Sequence, residues 1–419
     1  MRTTLRLAAV VTVSALAVTG CGFGGQGSSS SGDDAAQAGT TTLDLLVPSY
    51  SDATKANWEK VISGFQAQNK DVKVNLEVQS WDNINDVVRT KVQSNKAPDI
   101  LNIDAFSGFA KDGLLYKATD VASPQTISDF QDSFKQNASI GSDMMAFPFI
   151  ASTRALFYNK DLLEKAGVSA PPKTWDELLA AAKKVNALGG GVYGYGMPLG
   201  NEEAQAETSL WTFGNGGSWS DGDKITVTTP QNLEAVEYMQ RMVQEKATQP
   251  NPGASDRTPM LNVFIQGKIA MAAGLPPILA QIKDKNPSLN LGTAPIPTKD
   301  GSPVTLGVAD HLMAFQKDGS KKAAITKFVD YFFSKDVYSA WVAAEGFLPT
   351  TKSGAEQASS KPELKDFLTS LPTAKFYPSS NEAWSATQGA LQSQIGQIAQ
   401  GKSPKSVLDA VQAKADAAS

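Results

Sequence analysis

Residues that commonly carry out covalent chemistry are scarce in this chain. Its 419 residues include one cysteine, Cys21, and one histidine, His311. A single cysteine cannot form an intramolecular disulfide or supply a cysteine-rich zinc site, and a thiol nucleophile needs a base placed beside it. The sequence contains neither a GxSxG nor an HExxH motif. It therefore predicts no enzyme, no cofactor and no metal, with only an all-oxygen metal site left open.

The chemistry of Cys21 depends on the segment that precedes it. Two arginines begin the chain, and the uncharged run 7–18 that follows them is too short to span a bilayer as a helix. The stretch Val18-Thr19-Gly20-Cys21 is similar to a bacterial lipobox. The resemblance implies that residues 1–20 form a signal peptide and that Cys21 is lipidated, which anchors the chain to the outer face of the cytoplasmic membrane. The alternative is an ordinary signal peptide with an incidental cysteine.

Composition separates a tether from the folded part. Residues 21–42 are rich in glycine, serine and small polar residues, which favours a flexible tether. The remainder is long enough for two domains. The formal net charge is -4 and no basic run exceeds a pair such as Lys183-Lys184. Nucleic acid is therefore not the expected partner.

The folded part alternates between strand-like and helix-like segments. Strands are predicted at 43–47, 72–78 and 99–103, with amphipathic helices between them. Thr174-Trp175-Asp176-Glu177 has the pattern of a capping box that begins a helix. Another strand is predicted at 312–315, and the tail 384–417 reads as two helices. Repeated units of this kind favour an α/β fold.

Several separated motifs resemble one family, the family 1 extracellular solute-binding proteins of bacterial ABC importers, which includes maltose-binding protein. In chain order the motifs are KAPDI at 96–100, FAKDGLL at 109–115, YNKDL at 158–162, PKTWDE at 172–177, FIQGKIAM at 264–271, APIP at 294–297 and GFLPT at 346–350. None of these motifs is catalytic, so they point to architecture.

The resemblance implies a type II periplasmic-binding-protein fold with two discontinuous α/β lobes. One lobe would comprise residues 43–150 plus 294–345, and the other 151–293 plus 346–419. A hinge would join the lobes, and a solute, most often a sugar, would bind in the cleft between them. Closure around the solute would be read by the permease subunits of the importer. The binding protein itself would be a monomer.

Sugar recognition calls for carboxylates that bind hydroxyl groups and aromatic rings that pack on C–H faces. Tyr50, Trp81 with Asp82, and Asp104 follow the first three predicted strands, where they would reach the cleft. The alternatives are packing for Trp81 and helix capping for Asp82 and Asp104.

Three further residues are predicted ligand contacts in the light of the resemblance. Asp310 and His311 come directly before the predicted strand 312–315, where the family often has glycines facing the cleft. Trp384 begins a predicted helix where the family often places a stacking aromatic. The alternative for the Asp310-His311 pair is a surface turn.

Other candidates are weaker. Arg154 could clamp an acidic or hydroxylated ligand, or pair with a carboxylate across the hinge. Trp175 and Trp211 are predicted to pack, and Trp219 is ambiguous. Leu275-Pro276-Pro277 stands where the family often has a stacking aromatic, which argues against a simple maltose-like mode.

Alternatives to a sugar-binding protein remain. One is a binding protein for a polyamine, a peptide or an organic anion. Another is a secreted glycosidase, which would need two carboxylates at a fixed separation. A third is a lipid-anchored surface protein that contacts only other proteins.

Overall fold

A computed structural model describes residues 39–418 of the chain. The predicted signal peptide 1–20 and the predicted lipidation site Cys21 lie outside the described residues, as does most of the predicted tether 21–42. The first strand begins at Thr41. Within residues 39–418, no helix combines the length and the apolar character needed to cross a membrane.

The strands are short to medium in length and are distributed along the whole described chain. They are β1 Thr41–Pro48, β2 Val72–Gln79, β3 Ile100–Ile103, β4 Ser139–Ile140, β5 Asp143–Met144, β6 Phe147–Thr153, β7 Ala155–Asn159, β8 Tyr193–Gly196, β9 Ser220–Asp221, β10 Lys224–Ile225, β11 Ile269–Gly274, β12 Leu291–Ala294, β13 Thr305–Ala314 and β14 Ala374–Lys375.

The α-helices alternate with these strands and then dominate the C-terminal part. They are α1 Thr54–Gln68, α2 Trp81–Gln93, α3 Ser107–Lys111, α4 Pro124–Asp129, α5 Asp132–Asn137, α6 Lys160–Lys165, α7 Trp175–Asn186, α8 Ala204–Gly214, α9 Pro230–Gln244, α10 Arg257–Ile265, α11 Pro276–Lys285, α12 Lys322–Phe332, α13 Lys335–Glu345, α14 Lys352–Ala358, α15 Lys365–Ser370, α16 Trp384–Gln394 and α17 Pro404–Asp416.

The larger sheet has the strand order β14-β13-β3-β1-β2, and β6 also pairs with β13. β1 runs parallel to β2 and β3, as expected for strands joined by helical crossovers. β13 runs antiparallel to both β3 and β6. Its ten residues therefore connect the parallel half of the sheet to a strand that enters from the middle of the chain.

The second sheet has the order β12-β7-β11-β8. The chain enters it directly from the larger sheet, because Arg154 alone separates β6 from β7. It returns between β12 and β13. Later in the chain, Leu348 lies beside β6, where its backbone and that of Ala151 exchange two 2.9 Å hydrogen bonds. The fold is thus α/β with two main sheets, each flanked by helices, and two small two-stranded sheets, β4-β5 and β9-β10.

Helices cover both sheets. α12 and α13 pack on α1 beside the larger sheet, whereas α16 and α17 contact α8 and α9 beside the second sheet. The C-terminal helices therefore lie with elements from the middle of the chain, which is why each half is discontinuous in sequence. The residue ranges given above for the two lobes stay a prediction.

Many sequence-based elements are confirmed. Thr174 accepts a hydrogen bond from the Glu177 amide at the start of α7, and the capping box is complete. The PDI motif is structural, since Asp99 is buried and binds Lys317 and Lys321 at 2.8 and 2.7 Å. The tail forms two helices, as predicted.

The predicted strand 312–315 is wrong in its extent. β13 begins at Thr305, so Asp310 and His311 lie inside a strand rather than in a turn before it. The polar residues Asp310 and His311 interrupt the apolar pattern because the side chain of Asp310 faces a cavity. A register shift in the pairing with β6 occurs between the same two residues.

Candidate functional site

A narrow cavity open to solvent lies between the two sheets, with a volume of about 60 Å³. Residues just after β1 and β3, together with β6 and β13, line it from the larger sheet. The segment after β8, the start of α11 and one face of α16 supply the rest. The lining of the cavity includes Tyr50, Trp81, Asp104, Arg154, Glu202, Glu203, Gln205, Arg257, Asp310, Phe347, Tyr377, Gln388 and Gln392.

Tyr50 and Asp310 meet on the larger-sheet side of this cavity. The phenol oxygen of Tyr50 is 2.5 Å from Asp310 Oδ2 and 2.9 Å from Asn102 Oδ1. Asn102 donates its amide N–H to the carbonyl of His311, which turns its oxygen toward Tyr50. Burial, and next the neighbouring Asp104, raises the pKa of Asp310 to about 7. Burial and the Asp310 carboxylate likewise raise the pKa of Tyr50 well above its usual value.

Asp104 lies beside Asp310. Ile103 pairs with His311 in the antiparallel ladder, and Asp104 and Asp310 are the next residues on the two strands. Asp104 Oδ1 accepts from the Ala105 amide, and Oδ2 accepts from Gln388 at 2.7 Å. Burial raises the pKa of Asp104 despite these hydrogen bonds. Two buried carboxylates therefore face one cavity.

Two arginines of the lining are each paired with a glutamate. Arg154 donates to Ser152 Oγ at 2.8 Å and to Glu203 Oε1 at 2.9 Å. Arg257 contacts Glu203 Oε2 at 2.6 Å and Glu202 Oε1 at 3.2 Å. Burial alone would raise the pKa of Glu203, but Arg257 and then Arg154 outweigh it and lower the pKa. The four groups form a network in which each charge has a partner of opposite sign.

Local backbone structure holds this network in place. Glu203 has a left-handed backbone, with φ of 61°, immediately before α8. Such a conformation is costly for a residue with a Cβ, and strain of this kind clusters at binding sites. Glu202 accepts the Thr258 amide at 2.8 Å, so its carboxylate caps the positive end of α10 from outside the helix.

Aromatic rings form the remaining walls. Trp81 meets Tyr50 edge to face, with ring centroids 5.7 Å apart, and Phe347 meets Tyr50 at 4.9 Å. Tyr377 lines the other side and stacks on Trp384 at 5.0 Å. Carboxylates, amides and aromatic faces in one cavity are the groups that bind a polar molecule with C–H faces.

Comparison with known proteins agrees with this architecture. Residues 49–338 match the sequence profile of the bacterial extracellular solute-binding proteins. A protein of Brucella abortus that carries only the general name of binding protein is 33% identical over 396 residues, which cover 91% of this chain and 94% of that protein.

The chain belongs to the bacterial extracellular solute-binding protein family.

Solved structures agree on the fold. An ABC transporter solute-binding protein of Thermotoga lettingae, bound with α-D-tagatose, has a TM-score of 0.80 at 22% identity. The alignment covers 90% of this solute-binding protein and 99% of that chain. The GacH receptor of Streptomyces glaucescens, solved unliganded and with acarbose, has a TM-score of 0.78 at 24% identity. It covers 89% of this chain and 97% of its own.

The structure places the predicted site residues of the solute-binding protein at different depths. Tyr50, Trp81, Asp104 and Asp310 all line the cavity. Asp82 instead lines an adjoining outer cavity of about 540 Å³, which shares Trp81, Asp104 and Gln388 with the inner one. The four inner residues come together although they are spread over three strands and a helix start.

His311 and Trp384 lie behind the lining. His311 is fully buried, and its Nδ1–H donates to the Asp104 carbonyl at 2.7 Å. Burial lowers the pKa of His311 to about 4, which keeps the ring neutral. Trp384 is buried beneath Tyr377. Both support residues of the lining, and their role as ligand contacts stays a prediction.

Several residues that line the cavity were not predicted from the sequence, because most of the predicted ligand contacts follow the first three strands. The missed group is Glu202, Glu203, Gln205, Arg257, Tyr377 and Gln388. A signal was present for Glu202 and Glu203, because the stretch 193–198 has the pattern of a strand and the two glutamates follow it, as Tyr50 follows the first strand. Tyr377 and Gln388 had no comparable signal, because each depends on how the C-terminal helices pack.

Three lining side chains have polar atoms without a hydrogen-bond partner. They are Gln205 Oε1, Tyr377 Oη and Gln388 Oε1, in residues that are 4%, 5% and 6% exposed. Buried polar atoms normally have a hydrogen-bond partner, so these three atoms are available to a molecule that enters the cavity. Within residues 39–418, no group of three or more histidine, cysteine, aspartate or glutamate side chains is arranged to hold a metal ion.

Proposed function

We propose that this solute-binding protein is the substrate-binding component of an ABC importer and that its solute is a carbohydrate. Relatives and fold neighbours support the class. One relative is named as a multiple sugar-binding protein of Streptococcus mutans, at 21% identity over 79% of this chain. The fold neighbours bound with tagatose and acarbose are described above, and a further one holds laminaribiose.

The observation that carries the proposal is the combination of groups in the cavity. Gln205, Tyr377 and Gln388 offer free polar atoms, and Asp104 and Asp310 offer acceptors for hydroxyl groups. Carboxylate acceptors form the stronger hydrogen bonds. The rings of the aromatic wall offer apolar faces of the size that a sugar ring covers.

Each residue has a distinct part in this account. Trp81 and Tyr377 pack against the sugar, while Asp104 and Asp310 bind its hydroxyl groups. Tyr50 acts mainly through Asp310, because its hydroxyl is already bonded to that carboxylate and to Asn102. The paired arginines shape the wall, and their neutralisation by glutamates disfavours an organic anion as the solute.

Closure of the cleft would follow from the placement of these groups. A solute that touches Asp310 on one side and Gln205 on the other is bound better when the two sides approach. Binding then shifts the population toward a closed form, which the permease recognises. The Arg154 position between β6 and β7 and the Ala151–Leu348 bridge are the proposed hinge crossings, and the predicted lobe ranges are kept. No bond in the solute needs to break.

The proposed location follows from the family and from the first residues of the chain. Members of the family act outside the cytoplasm. We extend this to a lipid anchor at Cys21, with residues 21–42 as the tether and the folded part as a monomer at the outer face of the membrane.

A thermal-shift screen tests the proposal. The panel contains mono- and oligosaccharides, polyols, polyamines, peptides and organic acids. A solute at 100 times its dissociation constant adds about 2.7 kcal/mol of stability, which gives a readable shift. A sugar that shifts the melting temperature and is recovered unchanged supports the proposal. A sugar that is consumed indicates an enzyme, and shifts only from polyamines, peptides or organic acids contradict the carbohydrate assignment.

A further inference from the structure

The charges in the inner cavity do not balance. Its lining includes four carboxylates but two guanidinium groups. The two arginines are already paired with Glu202 and Glu203. The carboxylates of Asp104 and Asp310 are left over, and among the described residues no lysine or arginine forms a salt bridge with either of them.

Other buried carboxylates of the chain are also hydrogen-bonded or ion-paired within the protein, but they lie away from the cavity. Asp99 has two lysines, and Glu345 accepts hydrogen bonds from Ser51, Thr54 and Asn57. Glu207 accepts from Tyr195 and Trp211. None of these three carboxylates lines the cavity. Asp104 and Asp310 differ, because they are 7% and 5% exposed and face empty space that a solute would fill.

The hydrogen bonds around Tyr50 can accommodate one extra proton on Asp310 in the empty site, and a positively charged group of a ligand could replace that proton. Tyr50 has one hydroxyl proton but two oxygen neighbours, Asn102 Oδ1 and Asp310 Oδ2. If Tyr50 donates to Asn102, the 2.5 Å contact with Asp310 requires a proton on that carboxyl group. The raised pKa of Asp310, about 7, agrees with such a proton in the empty site.

We propose that the carbohydrate bound by this protein carries an amino group, and that its ammonium lies between Asp104 and Asp310. This inference rests on the proposed function and narrows it to amino sugars. The ammonium takes the place of the proton on Asp310, so that both carboxylates are ionised and paired when the cleft closes. Burying two unpaired carboxylates under a neutral sugar would be costly, whereas an ion pair with hydrogen bonds offsets that cost.

The free polar atoms argue for an amino sugar over a polyamine. Gln205, Tyr377 and Gln388 present hydrogen-bonding atoms around the acidic pair, and hydroxyl groups can satisfy them. A polyamine has no hydroxyl groups. Its N–H groups are separated by methylene runs, so they would pair fewer of these buried atoms than the closely spaced hydroxyl groups of a sugar ring.

Matched ligands test the inference on the unaltered protein. Calorimetry at pH 7 compares glucosamine, N-acetylglucosamine and glucose, the same three forms of galactose and mannose, and the corresponding β-1,4-linked glucose-series disaccharides, with spermidine included. We expect at least one amino sugar to bind at least tenfold more tightly than both its N-acetylated form and its hydroxyl form. Repeating that titration in two buffers of different ionisation enthalpy should reveal release of a proton from the protein.

Variants provide the second readout. Asp310→Asn and Asp104→Asn should each lower the affinity for the amino sugar at least tenfold while changing that for its hydroxyl form less. If hydroxyl sugars bind as tightly as their amines throughout, the ammonium site is contradicted while the carbohydrate proposal stands. If spermidine alone binds, or no sugar binds, both proposals fail.

Discussion

Tyr50 and Asp310 are 260 residues apart in the sequence and 2.5 Å apart in the structure, where the phenol oxygen of one meets Oδ2 of the other. The contact joins the end of β1 to the middle of β13. It places the carboxylate at the wall of the cavity and fixes its direction. The candidate site therefore depends on the antiparallel insertion of β13 beside β3, which brings a late strand to the ends of early ones.

Trp81 should contribute to solute affinity more than to stability. Its ring is partly exposed at the first residue of α2 and lines both cavities. Loss of a stacking ring removes roughly 1.5–3 kcal/mol of apolar contact, so Trp81→Ala should weaken binding of the solute at least tenfold. Calorimetry measures this affinity.

Tyr331→Ala is the matched control for Trp81→Ala. Tyr331 is also a partly exposed aromatic residue of a helix, here α12, but it lines neither cavity. Its affinity for the solute should equal that of the wild type. Equal losses in the two variants would show that Trp81 acts through general stability.

Glu203→Gln should destabilise the protein by about 2 kcal/mol, because the Arg154 side chain is 3% exposed and would lose its charged partner. Urea denaturation measures the change. Glu245→Gln removes a comparable two-cation pairing near the surface and should cost clearly less, because solvent screens the charges there. Similar losses for the two variants would contradict the importance of the buried network.

Glu207 makes stability depend on pH. Burial raises its pKa from 4.5 to about 7, so the folded state favours the protonated acid. Its contribution to stability is present below pH 4.5 and is lost as pH rises through 7.

Glu207→Gln keeps an acceptor for Tyr195 and Trp211 but cannot ionise. The variant should match the wild type near pH 4.5 and exceed it by ~2 kcal/mol at pH 8. Urea denaturation at several pH values provides the measurement. A difference that does not vary with pH would be inconsistent with a buried, titrating carboxyl group.

Gly194 allows β8 to pack against α7. A Cβ at this position would lie 2.3 Å from Ala182 Cα and from its carbonyl oxygen, so Gly194→Ala should cost ~3 kcal/mol. Gly108 in α3 has open space around it, and Gly108→Ala should be neutral or stabilise by ~0.5 kcal/mol. Melting temperatures of the two variants separate these cases, and equal shifts would contradict the packing.

The fold could be predicted from sequence because its signals are local. The alternation in β2, the capping box at Thr174 and the glycine after α10 each specify structure within a few residues. The site was predicted in part for the same reason, since Tyr50, Trp81 and Asp104 follow strands. Gln205 and Gln388 reach the cavity only through the packing of α8 and α16, and Tyr377 through the segment between β14 and α16. No local pattern encodes that packing.

The extent of β13 illustrates the limit. Asp310 and His311 look like a turn because polar residues interrupt an apolar run. In the structure His311 Nδ1 is hydrogen-bonded to the Asp104 carbonyl and Asp310 to Tyr50, partners more than 200 residues away. Long-range hydrogen bonds of this kind keep a polar pair inside a buried strand.

A calorimetric titration with a blocked cavity can show whether a carbohydrate binds between the two sheets. Gln392 on α16 lines both cavities, so Gln392→Trp should fill the space where they join. Ala386→Trp adds the same side chain to an exposed position of the same helix that lines neither cavity. We expect a binding stoichiometry of one sugar per wild-type protein and an unchanged affinity in Ala386→Trp. In Gln392→Trp the affinity should fall at least tenfold. Undiminished sugar binding by a folded Gln392→Trp protein would contradict binding between the two sheets.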